Sequence, residues 1–146
     1  MAHKASLSDE VKQSMDIGGD VKHYWNIDKA VGWECKNDWD DVLLIQYFLN
    51  SINGANLVED GIFGKKTYKA IRAFQKGKGF VDGKIDVATN ADGYVYNSTQ
   101  TIISVYAIYT INLSYYKKHQ VFYEDLRMDN KLPSELCQIF SSWKNN

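Results

Sequence analysis

With one proline and two cysteines in 146 residues, the chain has neither a proline-rich linker nor a dense disulfide framework. Cys35 and Cys137 lie far apart and match no metal spacing such as CxxC, so they are read as two free or buried thiols. The three histidines, His3, His23 and His119, are scattered, and no HExxH, GxSxG or Cys/His signature occurs. Asn90-Ala91-Asp92-Gly93 lacks the remaining ligands of a calcium loop. Nothing singles out a glycosidase pair among the 18 acidic residues. The expectation is a protein that is not an enzyme and uses no cofactor or metal.

Long apolar runs are missing too. The most apolar stretch, Thr101 to Leu113, is broken by Ser104, Thr110 and Asn112 and falls short of the roughly 20 residues that a bilayer crossing needs, so no membrane insertion is expected. The opening MAHKASLSDE carries no apolar run of signal-peptide type, which predicts synthesis in the cytoplasm without an export signal. A net charge of −1 argues against general nucleic-acid binding, which requires a basic excess. Any charge effect must be local.

What is present is an ordinary globular composition, 45% hydrophobic and 24% charged, with length for one core. Residues 1–30 mix charge with Gly18 and Gly19 and read as an N-terminal arm of loose or short structure, with Tyr24 and Trp25 available to anchor it. Asn37 and Asp38 then offer helix caps, and Asp40 and Asp41 suit a first turn. Val42, Ile45, Leu49 and Ile52 follow at helical spacing, predicting an amphipathic helix over Asp38–Ser51.

Asn53-Gly54, Asp60-Gly61 and Gly64 turn the chain before a second helix, predicted over Lys65–Lys76 with Ala70, Ile71, Ala73 and Phe74 on its apolar face and Gly77 and Gly79 ending it. Val58–Gly64 is echoed by Phe80–Asp86, and a loop or hairpin is expected after that second turn, around Asp92-Gly93. Thr99–Lys118 carries both strand and helix periodicity, with Ile102, Tyr106, Tyr109, Leu113 and Tyr116 on the helical face. Twenty residues without Gly or Pro favour the helix. Pro133 opens a short closing helix with Leu136, Ile139, Phe140 and Trp143 as its stripe. The predicted fold is mainly all-α: a compact bundle of three helices with an inserted loop or hairpin and a short C-terminal helix.

The stretch DGIFGKKTYKAIRAFQKGKGFVDG, Asp60 to Gly83, resembles the three-helix peptidoglycan-binding domain family of bacterial cell-wall hydrolases. Val42, Ile45-Gln46 and Leu49 match the first helix of that family. Asp60, Gly61, Phe63, Gly64, Thr67, Ala70, Phe74 and Gln75 match its DGxFGxxTxxAhxxFQ segment, and Val81-Asp82-Gly83 its second turn. The third part departs from the pattern: Asp86 replaces a glycine, and some twelve residues precede Thr99. The resemblance implies a domain over residues 31–118, with 1–30 as an arm and 119–146 as a tail whose short helix packs on the domain. VGWECKNDWDDVLLIQYFLN and TQTIISVYAIYTIN further resemble small stand-alone members associated with type VI secretion.

Asp60, Gly61, Phe63 and Gly64 can serve as turn scaffold or as part of a ligand site. Gln46 and Gln75 recur at equivalent places, where an amide can satisfy loop backbone groups. Lys65, Lys69, Arg72 and Lys76 form one stripe at steps of four, three and four, with no acid between Ile62 and Val81. The stripe is either a solvated face or a carboxylate- or phosphate-binding one. Trp33, Trp39, Tyr68, Tyr94 and Tyr96 either pack or offer faces for sugar stacking.

The candidate ligand-binding residues are therefore Asp60, Phe63, Lys65, Tyr68, Lys69, Arg72 and Lys76. The resemblance implies noncatalytic recognition of peptidoglycan, glycan or peptide stem, with targeting to the cell wall as its purpose. The rival reading is an adaptor or effector-associated component of a type VI or other contractile secretion system that keeps the fold and binds a protein partner. Either one requires delivery of a cytoplasmic product to the periplasm or wall.

Overall fold

The computed structural model describes residues 1–78, 93–95 and 107–142. Its elements are β1 (His3–Ser6), α1 (Asp9–Met15), β2 (His23–Asn26), α2 (Trp39–Asn53), α3 (Lys65–Gly77), α4 (Ala107–Lys118), α5 (Gln120–Tyr123), a 3-10 turn at Leu126–Met128 and α6 (Ser134–Ser142). The fold is mainly helical, as the periodicities predict.

The centre of the molecule is α2, which packs on α3, α4 and α6. The predicted amphipathic pattern understates it: Val42, Leu43, Leu44, Ile45, Tyr47, Phe48 and Leu49 are all buried, so the helix has apolar neighbours nearly all round. Even Asp40 and Asp41, in its first turn, are covered by the N-terminal segment. Asp40 Oδ2 accepts from the Ala2 amide at 2.6 Å, and Asp41 accepts from the Asp28 and Lys29 amides at 3.0 and 2.9 Å. Burial pushes the Asp41 carboxyl up to about 6; the two amide bonds oppose that shift and nearby Asp40 adds to it.

The predicted N-terminal arm is built of short elements. β1 and β2 pair antiparallel, His3 opposite Asn26 and Ser6 opposite His23, with α1 between them. Ser8 caps α1 through the Val11 amide. Tyr24 and Trp25 are buried, as expected of anchors. The other edge of β2 is closed by a side chain instead of a third strand: Asn112 Oδ1 accepts from the Trp25 amide at 2.7 Å, and Asn112 Nδ2 donates to the Trp25 carbonyl at 2.8 Å. The Trp25 indole donates to the Tyr123 carbonyl at 2.9 Å, so the start of the chain is held by two later segments.

At the other end of α2, Lys118 and His119 bond the carbonyls of Ile52 and Ser51, partners that a helix C-terminus otherwise lacks. The Tyr47 hydroxyl lies 2.7 Å from that of Tyr115 and donates to Asp129 at 2.6 Å, a buried chain joining α2, α4 and the segment before α6. Burial and the neighbouring Asp129 carboxylate hold both phenols above their ordinary range.

The first two predicted helices run one or two residues past their expected ends. Val42, Ile45, Leu49, Ile71, Phe74 and Tyr109 are core residues as expected. Ala73 is exposed, because the buried face of α3 passes through Thr67, Ile71, Phe74 and Gln75. Among residues of the third and closing helices, Tyr109, Leu136 and Phe140 are buried. Ile102, Tyr106, Trp143, the Val81-Asp82-Gly83 turn, Tyr96 and the expected loop or hairpin around them lie outside the described residues, apart from Gly93–Val95. Cys35 and Cys137 are not joined in a disulfide, and both are partly exposed.

Candidate functional site

Two glutamines organise the turns around α3. Gln46 Oε1 accepts from the amides of Gly61 at 2.9 Å and Asp60 at 3.2 Å, while its Nε2 lies 3.1 Å from Thr67 Oγ1 and 3.2 Å from the Ile62 carbonyl. Asp60 Oδ1 accepts from the Ile62 amide at 2.9 Å and closes the turn on itself. Gly61 has φ of +72°, and a Cβ there would stand 2.7 Å from the Trp39 carbonyl oxygen. Asp60 and Gly61 thus build the turn.

Gln75 repeats this arrangement one helix later. Its Oε1 accepts from the Gly93 amide at 2.9 Å, and its Nε2 donates to the Tyr94 carbonyl at 2.9 Å. Gly93, at φ +82°, is therefore the counterpart of Gly61. The sequence agrees once aligned this way: Asp92-Gly93 stands for Asp60-Gly61 and Thr99 for Thr67. The extra residues fall before the second turn, whereas the sequence reading put them after it.

A third piece completes the site. Val31 and Val95 exchange both backbone hydrogen bonds, at 2.9 and 2.7 Å, and fix the loop before α2 to the Gly93 turn. Asn37 pins that loop by accepting from the Gly32 amide at 2.9 Å and donating to the Gly32 carbonyl at 2.8 Å. The Tyr94 ring lies against the Gly32 backbone, where a Cβ would come within 2.1 Å of it, and the Tyr68 ring occupies the matching position over Gly93. Two glycines thus seat two tyrosines.

Between these pieces opens a cleft of about 500 Å³ lined by Trp33, Tyr68, Tyr94, Lys65 and Lys69. Trp33, 58% exposed, meets Tyr68 edge-on at 6.3 Å and Phe63 at 6.5 Å. The Arg72 guanidinium sits 5.7 Å from the Tyr68 ring and backs it from outside the cleft. Among the described residues, Lys65 and Lys69 have no hydrogen-bond or ion-pair partner and no carboxylate lines the cleft. Two exposed ammonium groups therefore stand beside three aromatic rings.

Of the sequence candidates, Lys65, Tyr68 and Lys69 meet in the cleft, Arg72 and Phe63 support its rings, and Asp60 builds the neighbouring turn. Lys76 continues the stripe beyond it. Trp33 and Tyr94, which the sequence offers as packing or sugar-stacking aromatics, join the site although the candidate set omits them. Among the described residues no group of three or more His, Cys, Asp or Glu side chains could hold a metal ion. No described helix is long and apolar enough to cross a membrane.

A helical unit whose turns are held by paired glutamines, with an aromatic and cationic cleft at its second turn, has the make-up of a binding module. Residues 40–99 match the model of the family described as "Putative peptidoglycan binding domain". That segment takes in α2, α3, both glutamine-held turns and every cleft residue except Trp33, and it supports a peptidoglycan-binding domain-like assignment. Neither a curated protein nor a solved structure matches the chain.

Proposed function

We propose that the chain is a noncatalytic module that recognises peptidoglycan in the cleft of Trp33, Tyr68 and Tyr94, and brings itself or a partner to the bacterial cell wall. The observation that carries this reading is the cleft lining: three aromatic faces and two lysines, with no acid or lysine partner among the described residues. Aromatic faces suit the C–H sides of sugar rings, and ammonium groups suit the carboxylates of lactyl and peptide-stem groups. Peptidoglycan presents both on one polymer. In this reading the protein is made in the cytoplasm and carried to the periplasm or wall by a secretion apparatus.

The test is retention on purified sacculi. Wild-type protein should be retained, and retention should weaken with salt as screening shortens to about 8 Å at physiological ionic strength. Lys65→Glu with Lys69→Glu should abolish it while leaving the melting transition in place, since both side chains are exposed. Absence of wild-type retention at every salt concentration would overturn the proposal.

A second reading, an adaptor within a type VI or other contractile secretion system, is favoured by the exposed apolar side chains of Trp39, Val58 and Ile62 on the segments flanking the Gly61 turn. It predicts a protein partner whose binding is lost in Trp39→Ala with Ile62→Ser and is indifferent to the lysine reversals.

A further inference from the structure

A larger cleft, of about 790 Å³, lies at the C-terminal end of α2, where the loop after that helix faces the segment joining α4 to α6. His119, Phe122, Asp129, Asn130 and Lys131 form one wall, and all five lie outside the segment that matches the family model. The other wall comes from Asn50, Gly54, Asn56 and Glu59. This chain's C-terminal elements therefore create a concavity that the matched segment alone does not contain.

The lining is specific in character. Among the described residues it contains no aliphatic side chain; its apolar surface is that of the Tyr47, Phe122 and His119 rings, which suits a flat C–H face better than a leucine-like anchor. Its two carboxylates are already engaged, Glu59 by Asn50 and Asp129 by Tyr47, and with Lys131 they leave a slight negative excess, so anionic ligands gain little. Part of the polar set is already used: Asn50 bonds the Leu57 backbone and Glu59 Oε2, and Asp129 accepts from Tyr47 and the Lys131 amide. These bonds fix the walls. The side chains of Asn56, Asn130 and Lys131 have no partner among the described residues and remain available. The Phe122 and His119 rings lie nearly parallel, 20° between planes and 6.3 Å apart, and supply an aromatic platform beside those groups.

We propose that this cleft is a second binding site, for a neutral saccharide. Phe122 and His119 give the sugar's C–H face a surface, while Asn56, Asn130, Lys131 and the second Glu59 oxygen supply donors and acceptors for hydroxyl and amide groups. A sugar matches a wall of amides whose carboxylates are already hydrogen-bonded, beside a ring. An aliphatic peptide side chain finds no aliphatic partner among the described lining residues, only aromatic rings.

The test is a titration of the full chain with chitotetraose, a neutral N-acetylated tetrasaccharide, followed by backbone amide NMR shifts, with acetyl-trialanine amide as the peptide probe. Millimolar chitotetraose should shift amides in residues 54–59 and 119–131. Phe122→Leu, which keeps an apolar side chain against the core but removes the ring, should weaken the titration about fivefold or more, and so should Asn130→Ala with Lys131→Ala. The thermal melt of each variant identifies one that is still folded. Shifts confined to the Trp33 cleft, no shifts at any concentration, equal affinity in the folded variants, or saturation by the peptide in place of the sugar would each overturn the proposal.

Discussion

Gln46 and Gln75 hold successive turns in the same way, each accepting through its side-chain oxygen from a glycine amide in left-handed conformation, Gly61 and Gly93. The two glycines lie 15 and 18 residues beyond their glutamines, so the arrangement survives a difference in loop length. What it conserves is a buried amide that satisfies turn backbone on both its donor and its acceptor sides.

Replacing Gln46 by Leu removes an acceptor from Gly61 and Asp60 and a donor from Ile62 and Thr67 at once. Leaving such buried groups unpaired costs about 1–3 kcal/mol each at most, so a loss of about 2–4 kcal/mol is expected in urea unfolding. Gln46→Glu should also destabilise: one oxygen still accepts from Gly61 and Asp60, but the other would replace the donor that faces the Asp60 carboxylate and the Ile62 carbonyl, each 3.2 Å from Gln46 Nε2.

Gly61→Ala is expected to destabilise by about 1–3 kcal/mol, since it combines a positive φ with a Cβ directed at the Trp39 carbonyl. Gly93→Ala should act differently. Its Cβ would meet the Tyr68 ring at 2.3 Å, and the ring must move, so ligand retention should fall more than the melting temperature does. Comparison of the two variants by thermal melt and sacculus retention separates scaffold from site.

Asp41 gives the stability a pH dependence of known sign. Its carboxyl titrates near 6 when folded and near 4 when unfolded, so between these values the native state binds more protons and stability falls as pH rises. The loss is about 2–3 kcal/mol by pH 7. His23 works the other way: burial lowers its titration, so stability falls on acidification below the ordinary histidine range. Across pH 4 to 7 the two oppose each other, so the Asp41 slope is read as the difference between the unfolding curves of wild type and Asp41→Asn, with wild type the more favoured at low pH.

Trp33 is exposed at the cleft mouth, so Trp33→Ala should leave the melt nearly unchanged while sacculus retention drops about tenfold, the scale of a lost aromatic anchor. Retention equal to wild type would remove Trp33 from the site.

Much of this was legible from local pattern. Helical spacing located α2 and α3, the helix-breaking residues located the turns, and the Lys65–Lys69 step placed two cations on one face. The role of Gln46 and Gln75 also followed from their repetition. Several features did not follow, because they depend on residues distant in sequence. The burial of Leu43, Leu44 and Phe48 requires later elements to cover the second face of α2. Trp33 and Tyr94 reach the cleft only through the Val31–Val95 pairing. The equivalence of Gly93 to Gly61 carries a weaker signal than the nearer echo at Asp82-Gly83: the spacing from Gly93 to Thr99 equals that from Gly61 to Thr67.

The clasp of Asn112 on Trp25 spans 87 residues, and the Tyr123 carbonyl that receives the Trp25 indole lies 98 residues away. A ribosome therefore releases β1 and β2 long before their partners exist. During synthesis the early hairpin has one edge unpaired and its tryptophan uncovered, a state open to other chains until Tyr123 has emerged. Closure of so distant a contact makes folding a late and largely all-or-none event.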